Sequence, residues 1–296
     1  MSGRETMGPT GRSPIEVAVA SRSDVGLVRA GNEDSLLAAP PVFVVADGMG
    51  GHDAGEVASA IVVEEFGTLA GRATVGVPQL AEALERAGDR IRALSAGHHG
   101  AGYRGAGTTV AAAAISEVDG SAYWIVLNLG DSRVYRAGAD VFEQVSVDHS
   151  FVQELLDRGE IDEATARVHP QRHVITRALG AGSDPDPDFW LIPAEAGDRL
   201  LVCSDGLSGE VPDDRIEQVL REAVDVESAC ADLLEQALDA GARDNVSLIV
   251  VEALAVRCGD PAAEDTAPRG AHRSEDTAPR MHDTAPRVRV QQAGDR

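Results

Sequence analysis

The stretch VFVVADGMGGHDAGEVASAIVVEEF (Val42–Phe66) runs from an unbroken apolar block into an aspartate, a cluster of glycines and a histidine, then into helical spacing. The apolar block has the length of a buried strand, and the segment from about Gly55 to Ala70 reads as a helix. A strand that ends on a carboxylate amid bare backbone has two readings. Either Asp47-Gly48 is only a tight turn, or a positive charge sits at Asp47. Asp53 and Glu56 resemble a capping box at the helix start and are assigned to structure.

Outward from this stretch, IEVAVAS (Ile15–Ser21) alternates apolar residues as a strand and is expected in one sheet system with Pro41–Ala46. A second helix starts at Pro78, with Leu80, Leu84, Ala87, Ile91 and Leu94 along one face; the two helices should form an antiparallel pair on a sheet. Strands are expected at Thr108–Ile115, Ala122–Leu129 and Ser132–Ala137, the last two joined as a hairpin across Gly130-Asp131. After a helical or irregular excursion (Ser150–Gly182) come a strand (Arg199–Ser204), two helices (Asp213–Ala223, Val226–Ala240) and a last strand (Val246–Ala253). Strand clusters and helix pairs in separate blocks argue for an α+β fold rather than alternating βαβ units.

The chain of 296 residues can bury a sizeable core. Residues 1–14 read as a flexible N-terminus and 15–256 as one domain. In the remainder, 257–296, EDTAPR (Glu264–Arg269) recurs at Glu275–Arg280 and as HDTAPR at His282–Arg287. Such a segment buries too little apolar surface to offset its ordering entropy and is expected to be disordered. A net charge of −23, with arginine the only basic side chain besides histidine, argues against a nucleic-acid partner. Cys203, Cys230 and Cys258 show no disulfide or metal spacing, and no apolar run could span a bilayer, so a cytoplasmic protein is expected.

Acidic residues recur where apolar strands stop or resume: Asp47, Asp205 and Asp244, with Asp131 in the turn after WIVLNLG. Each alone has a bland reading, because Asp-Gly at Asp47 and Asp205 is a turn signal. Their recurrence shifts the balance, since strands of one sheet can bring such ends to a common rim. Gathered carboxylates need a counter-charge, and oxygen-only ligation suits Mg2+ or Mn2+. In SDVGLVRAGNEDS (Ser23–Ser35), Arg29 precedes Glu33 and Asp34. The segment is either a polar loop with an internal ion pair or an anion clamp beside a metal ligand, a guanidinium fork suiting a phosphoryl group. Metals with a phosphate-clamping arginine point to phosphate-ester hydrolysis.

Eight segments in order, SDVGLVRAGNEDS, VVADGMGGHDAGEVAS, GAGTTV, NLGDSRVY, DHSFVQELLDRGEI, HPQRHVITRALG, LLVCSDGLSGEV and ARDNVSLIVV, resemble the motifs of the bacterial type 2C metal-dependent protein serine/threonine phosphatases (the PPM family). The resemblance covers nearly all of Ile15–Ala253. It implies two stacked, mainly antiparallel β-sheets flanked by helix pairs, an α-β-β-α sandwich with metals in a cleft at one end. It implies that Asp47 bridges two metals, that Gly48 ligates one through its carbonyl, and that Asp205 and Asp244 complete the pair. Glu33 would hold a metal-bound water, Asp131 with Asp205 a third, weaker metal, and Arg29 the substrate phosphate; Asn245 is a plausible helper.

The implied activity is hydrolysis of phosphoserine and phosphothreonine in proteins, opposing serine/threonine kinases, with Mn2+ or Mg2+ as cofactor. Two metals about 3.5–4 Å apart share a water, lower its pKa toward about 7 and direct it in line at phosphorus. Met49 stands where animal relatives carry a histidine proposed as the acid for the leaving group, which leaves the proton donor open; His52 is read as a local hydrogen-bonding residue. Residues 146–180 resemble the family's flap, where Asp148-His149 and HPQR contact substrate or staple the flap. Two alternatives stand beside this reading. One is a sigma-regulator phosphatase acting on a phosphorylated anti-sigma antagonist; the other is a non-catalytic phosphoprotein-binding scaffold.

Overall fold

The computed structural model describes residues 12–50, 54–96, 105–180 and 186–257. Strands β1 (Ile15–Asp24), β2 (Asp34–Ala39) and β3 (Val42–Met49) precede helices α1 (Ala54–Gly67) and α2 (Val77–Ala96). Strands β4 (Gly107–Thr108), β5 (Val110–Val118), β6 (Ser121–Leu129), β7 (Arg133–Ala137) and β8 (Phe142–Gln144) follow. Short helices α3 (Phe151–Asp157) and α4 (Glu163–Val168) occupy the excursion. The chain returns through β9 (Asp188–Pro193), β10 (Arg199–Cys203), the one-turn α5 (Asp205–Ser208), α6 (Asp213–Glu222), α7 (Val226–Ala240) and β11 (Val246–Val256).

The strands form two sheets, ordered β1-β11-β10-β7-β8 and β2-β3-β5-β6-β9, with β4 added to β3. Every pairing is antiparallel. Apolar side chains fill three layers. Val42, Val44 and Ala46 of β3 face α1 and α2, whereas Phe43 and Val45 face the opposite sheet. Likewise Leu248 and Val250 of β11 pack toward α6 and α7, and Ile249 and Val251 point between the sheets. Strands covered on both faces read as continuous apolar runs, which is why VFVV and LIVV carry no alternation. Full burial of such a side chain, Phe43 for example, stabilises by about 1.5–3 kcal/mol. The architecture is the expected α-β-β-α sandwich.

Two connections differ from expectation. β1 and β3 lie in facing sheets rather than in one sheet system. The strands flanking Gly130-Asp131 form no hairpin, because β6 pairs with β5 and β9 while β7 pairs with β10 and β8. Gly130 takes φ +116°, and a Cβ there would fall 2.6 Å from Thr109 Cγ2. This turn carries the chain from one sheet across to the other, so Asp131 lands at the end of the sandwich. Strands β2, β8 and β9 were not expected. β8 is too short for a pattern, and all six residues of β2 are partly buried or buried, with no clean alternation. Asp47 lies within β3, whose pairing continues to Met49, rather than after it. The expected N-terminal segment up to residue 11, the tail from 258, Asp53 of the capping box and His52 lie outside the described residues.

Candidate active site

All seven residues expected at the site line one cleft of ≈550 Å³: Arg29, Glu33, Asp47, Gly48, Asp131, Asp205 and Asp244. They arrive on five stretches of chain: the loop between β1 and β2 (Arg29, Glu33), β3 (Asp47, Gly48), the turn after β6 (Asp131), the start of α5 (Asp205) and the approach to β11 (Asp244). β3 brings Asp47 opposite Asp34 of β2, and the Asp47 amide donates to Thr109 Oγ1 (3.0 Å) while its carbonyl accepts from the Thr109 amide (2.9 Å). Thr109 Oγ1 also lies 2.7 Å from Ser132 Oγ, which ties the Asp47 strand to the turn bearing Asp131. Asp205 opens α5 directly after β10, and Asp244 precedes β11.

Close backbone approach makes the cleft possible. A Cβ on Gly48 would fall 2.2 Å from the Gly55 carbonyl oxygen and 2.5 Å from that of Glu33. A Cβ on Gly206 would fall 1.9 Å from the Asn245 carbonyl oxygen, so the Asp205 turn sits directly on the Asp244-Asn245 segment. Asn245 acts as a splint. Its Oδ1 accepts from the Glu33 amide (2.9 Å), and its Nδ2 donates to the carbonyls of Val25 (2.9 Å) and Gly31 (3.0 Å), fixing the loop that carries Arg29. The glutamate side chain lies against Gly55, in the first turn of α1.

The electrostatics of this gathering are unfavourable as it stands. Burial first, then the charges of Asp34, Asp205, Asp131 and Asp244, hold the Asp47 carboxyl well above the usual range. Asp131 is raised in the same direction by burial and by Asp205 and Asp148, against the opposing effect of its own backbone and Arg133. Asp34, which no sequence signal distinguishes from its neighbour Glu33, is buried and raised to about 7. Burial dominates that shift; hydroxyls of Ser247 and Ser204 oppose it, and Asp205 and Asp244 add to it. Ser204 Oγ donates to Asp34 Oδ2 at 2.9 Å.

Cationic side chains stand at the rim. Arg29 Nη2 contacts Asp244 Oδ2; burial lowers its pKa, but the hydrogen bond and charge of Asp244, with Asp47 and Glu33, raise it overall. Arg172 and His173 reach the cleft from the flap segment, His173 Nδ1 lying 3.9 Å from Asp205 Oδ2. Arg243 also lines the cleft and is held by Glu210 (2.8 and 2.9 Å). Met49 lines it without a titratable group. Cys203 and Cys230 are buried and their thiols pushed up to about 12 and about 11 by burial, so neither supplies a nucleophile.

Among the described residues, no three His, Cys, Asp or Glu side chains close into a ready ligand cluster. The donor set nevertheless fits a hard divalent cation. Asp131 Oδ1 and Asp205 Oδ1 are buried and make no hydrogen bond, which is costly for a carboxylate without a cation. The cleft's acidic groups are oxygen donors, the chemistry of Mg2+ and Mn2+ rather than zinc.

Residues 30–247 match protein phosphatase 2C. The chain belongs to that family. Among family relatives, the serine/threonine protein phosphatase PstP of Mycobacterium tuberculosis is 40% identical over 242 residues, 81% of this chain and 46% of the relative. The chain thus spans about half the length of that relative. The serine/threonine phosphatase stp of Listeria innocua is 32% identical over 242 residues, covering 78% of this chain and 94% of the relative. A crystal structure of the catalytic domain of PstP in complex with two manganese ions superposes with a TM-score of 0.72 at 36% identity, covering 80% of this chain and 97% of that one. No helix among the described residues is long and apolar enough to cross a membrane.

Proposed function

We propose that the protein is a metal-dependent protein serine/threonine phosphatase that hydrolyses phosphoserine and phosphothreonine, opposing serine/threonine kinases. The observation that carries this reading is the convergence of Asp47, Asp131, Asp205 and Asp244 with Arg29 on one cleft, from stretches of chain spread over more than two hundred residues. Asp47, the Gly48 carbonyl, Asp205 and Asp244 would hold two divalent cations, Glu33 a water, and Asp131 with Asp205 a third, weaker ion. The ions, Mn2+ or Mg2+, would supply Lewis-acid activation of water and offset the carboxylate charge.

The chain's own groups do the rest. Arg29 turns its guanidinium from Asp244 to the phosphoryl oxygens and stabilises charge as the transition state forms. Asn245 keeps the Arg29 loop and the Glu33 backbone in register with the Asp244 end of β11. Arg172, His173 and Arg243 line the same cleft and would face the substrate polypeptide. Residues 15–256 would be the catalytic unit, so truncation after Val256 leaves hydrolysis of phosphopeptides unchanged.

The intact acidic set supports an enzyme over a phosphoprotein-binding scaffold. Phosphate release from a phosphothreonine peptide, measured with manganese against the same protein in chelator, tests the reading. Equal release in both would overturn the metal-dependent assignment, and no release in either would favour the scaffold.

A further inference from the structure

The dipeptide Asp148-His149 grips the turn that carries Asp131 from both sides. His149 is 5% exposed. Its amide donates to the Gly130 carbonyl (2.8 Å), and its ring Nδ1 accepts from the Gly130 amide (3.2 Å). Gly130 therefore has both backbone groups bonded to one residue, immediately before Asp131. Because Nδ1 accepts, the proton of the neutral ring sits on Nε2, which donates to Asp188 Oδ2 at 3.2 Å. Arg177 Nη1, 3.4 Å from the same Nε2, then stands beside that pair as a neighbouring charge rather than a donor.

On the other side, Asp148 binds Arg133, two residues after Asp131, through Nε (3.0 Å) and Nη2 (2.7 Å). Gln144 Nε2 donates to the same carboxylate at 2.9 Å. Between the two grips lies Asp131, buried, with Oδ1 making no hydrogen bond. The strands before and after this turn belong to different sheets, so no ladder fixes the direction of Asp131.

We infer that His149, assisted by Asp148, is a positioning residue that aims the Asp131 carboxylate into the cleft through the backbone of Gly130. The inference rests on the proposed role of Asp131 as a cation ligand. Outer groups that orient ligands typically change metal affinity ten- to a hundredfold when removed.

The test is a calorimetric Mn2+ titration of the full chain, with denaturant unfolding in chelator measured alongside. Wild type should bind Mn2+ with one site weaker than the rest, and Asp131→Asn should lose that site. His149→Phe, which keeps a ring but no acceptor, should weaken that same site about ten- to a hundredfold and leave the tighter binding intact. His149→Asn, whose side-chain oxygen can stand near the Nδ1 position, should return it to within about threefold of wild type. If His149→Phe fails to fold, Asp148→Asn should weaken the same site by about tenfold through loss of the Arg133 grip. Unchanged weak-site affinity in these variants, or equal damage from Phe and Asn, would overturn the inference, because ring packing alone would then explain His149. A wild type that binds no manganese would overturn the reading of Asp131, and the inference with it.

Discussion

Arg29 Nη2 lies 2.5 Å from Asp244 Oδ2, so the residue proposed to clamp phosphate is paired with a residue proposed to ligate metal. Both side chains are more than a third exposed, 51% and 36%, and such a pair adds little to stability. Arg29→Ala should therefore leave the unfolding midpoint nearly unchanged. A charge-assisted hydrogen bond is worth about 1.5–3 kcal/mol, so kcat/KM toward a phosphopeptide should fall roughly ten- to a hundredfold. Steady-state kinetics beside a denaturation curve checks both halves, and a loss of stability without loss of efficiency would reassign Arg29 to structure.

The buried carboxylates predict an unusual pH dependence in chelator. Asp34 takes up its proton near 3.8 in the unfolded chain but near 7 in the folded one. Between those values the folded state binds more protons, so its contribution to stability falls as pH rises from about 4 to about 7. Asp47 and Asp131 are shifted in the same direction. Chelated wild type should thus be more stable at pH 5 than at pH 7.5, and Asp34→Asn should flatten the difference. Added manganese should offset it, since the ionised carboxylates then gain a counter-charge. Urea melts at the two pH values decide; a chelated protein more stable at pH 7.5 would contradict the account.

Gly206 separates packing from chemistry. With a Cβ placed 1.9 Å from the Asn245 carbonyl oxygen, Gly206→Ala must displace the Asp205 turn or the start of β11. A loss of about 1–3 kcal/mol is expected, with activity lowered as well. Gly67→Ala, at a position with no atom from beyond its own chain neighbours and helix backbone within 4 Å of the added carbon, serves as the control and should not destabilise. Equal unfolding midpoints for the two variants would refute the close approach.

Much of this was legible in the sequence because burial on both faces leaves an unmistakable mark. VFVV, WIVL and LIVV are apolar throughout, and their strands lie at the heart of the sandwich. The carboxylates were legible because they interrupt those runs. What escaped depended on partners far away in sequence. Gly130-Asp131 looks like a hairpin turn, and only the pairing of β6 with β9 and of β7 with β10 reveals a crossing between sheets. Local spacing does not set Asp34 apart from Glu33, because its bond from Ser204 and its pairing with Asp47 depend on distant residues. Asp148 and His149 stood undecided between substrate and staple, and their bonds to Arg133 and Gly130 place them inside the fold.

In the proposed function, the carboxylate cleft hydrolyses phosphoprotein esters with divalent cations held in part by Asp205. The most direct measurement is phosphate release from a phosphothreonine peptide by wild type in manganese, by wild type in chelator, and by Asp205→Asn in manganese. Release is expected in the first case and a fall to near background in the other two. Release by Asp205→Asn equal to wild type, or release that persists undiminished in chelator, would contradict it.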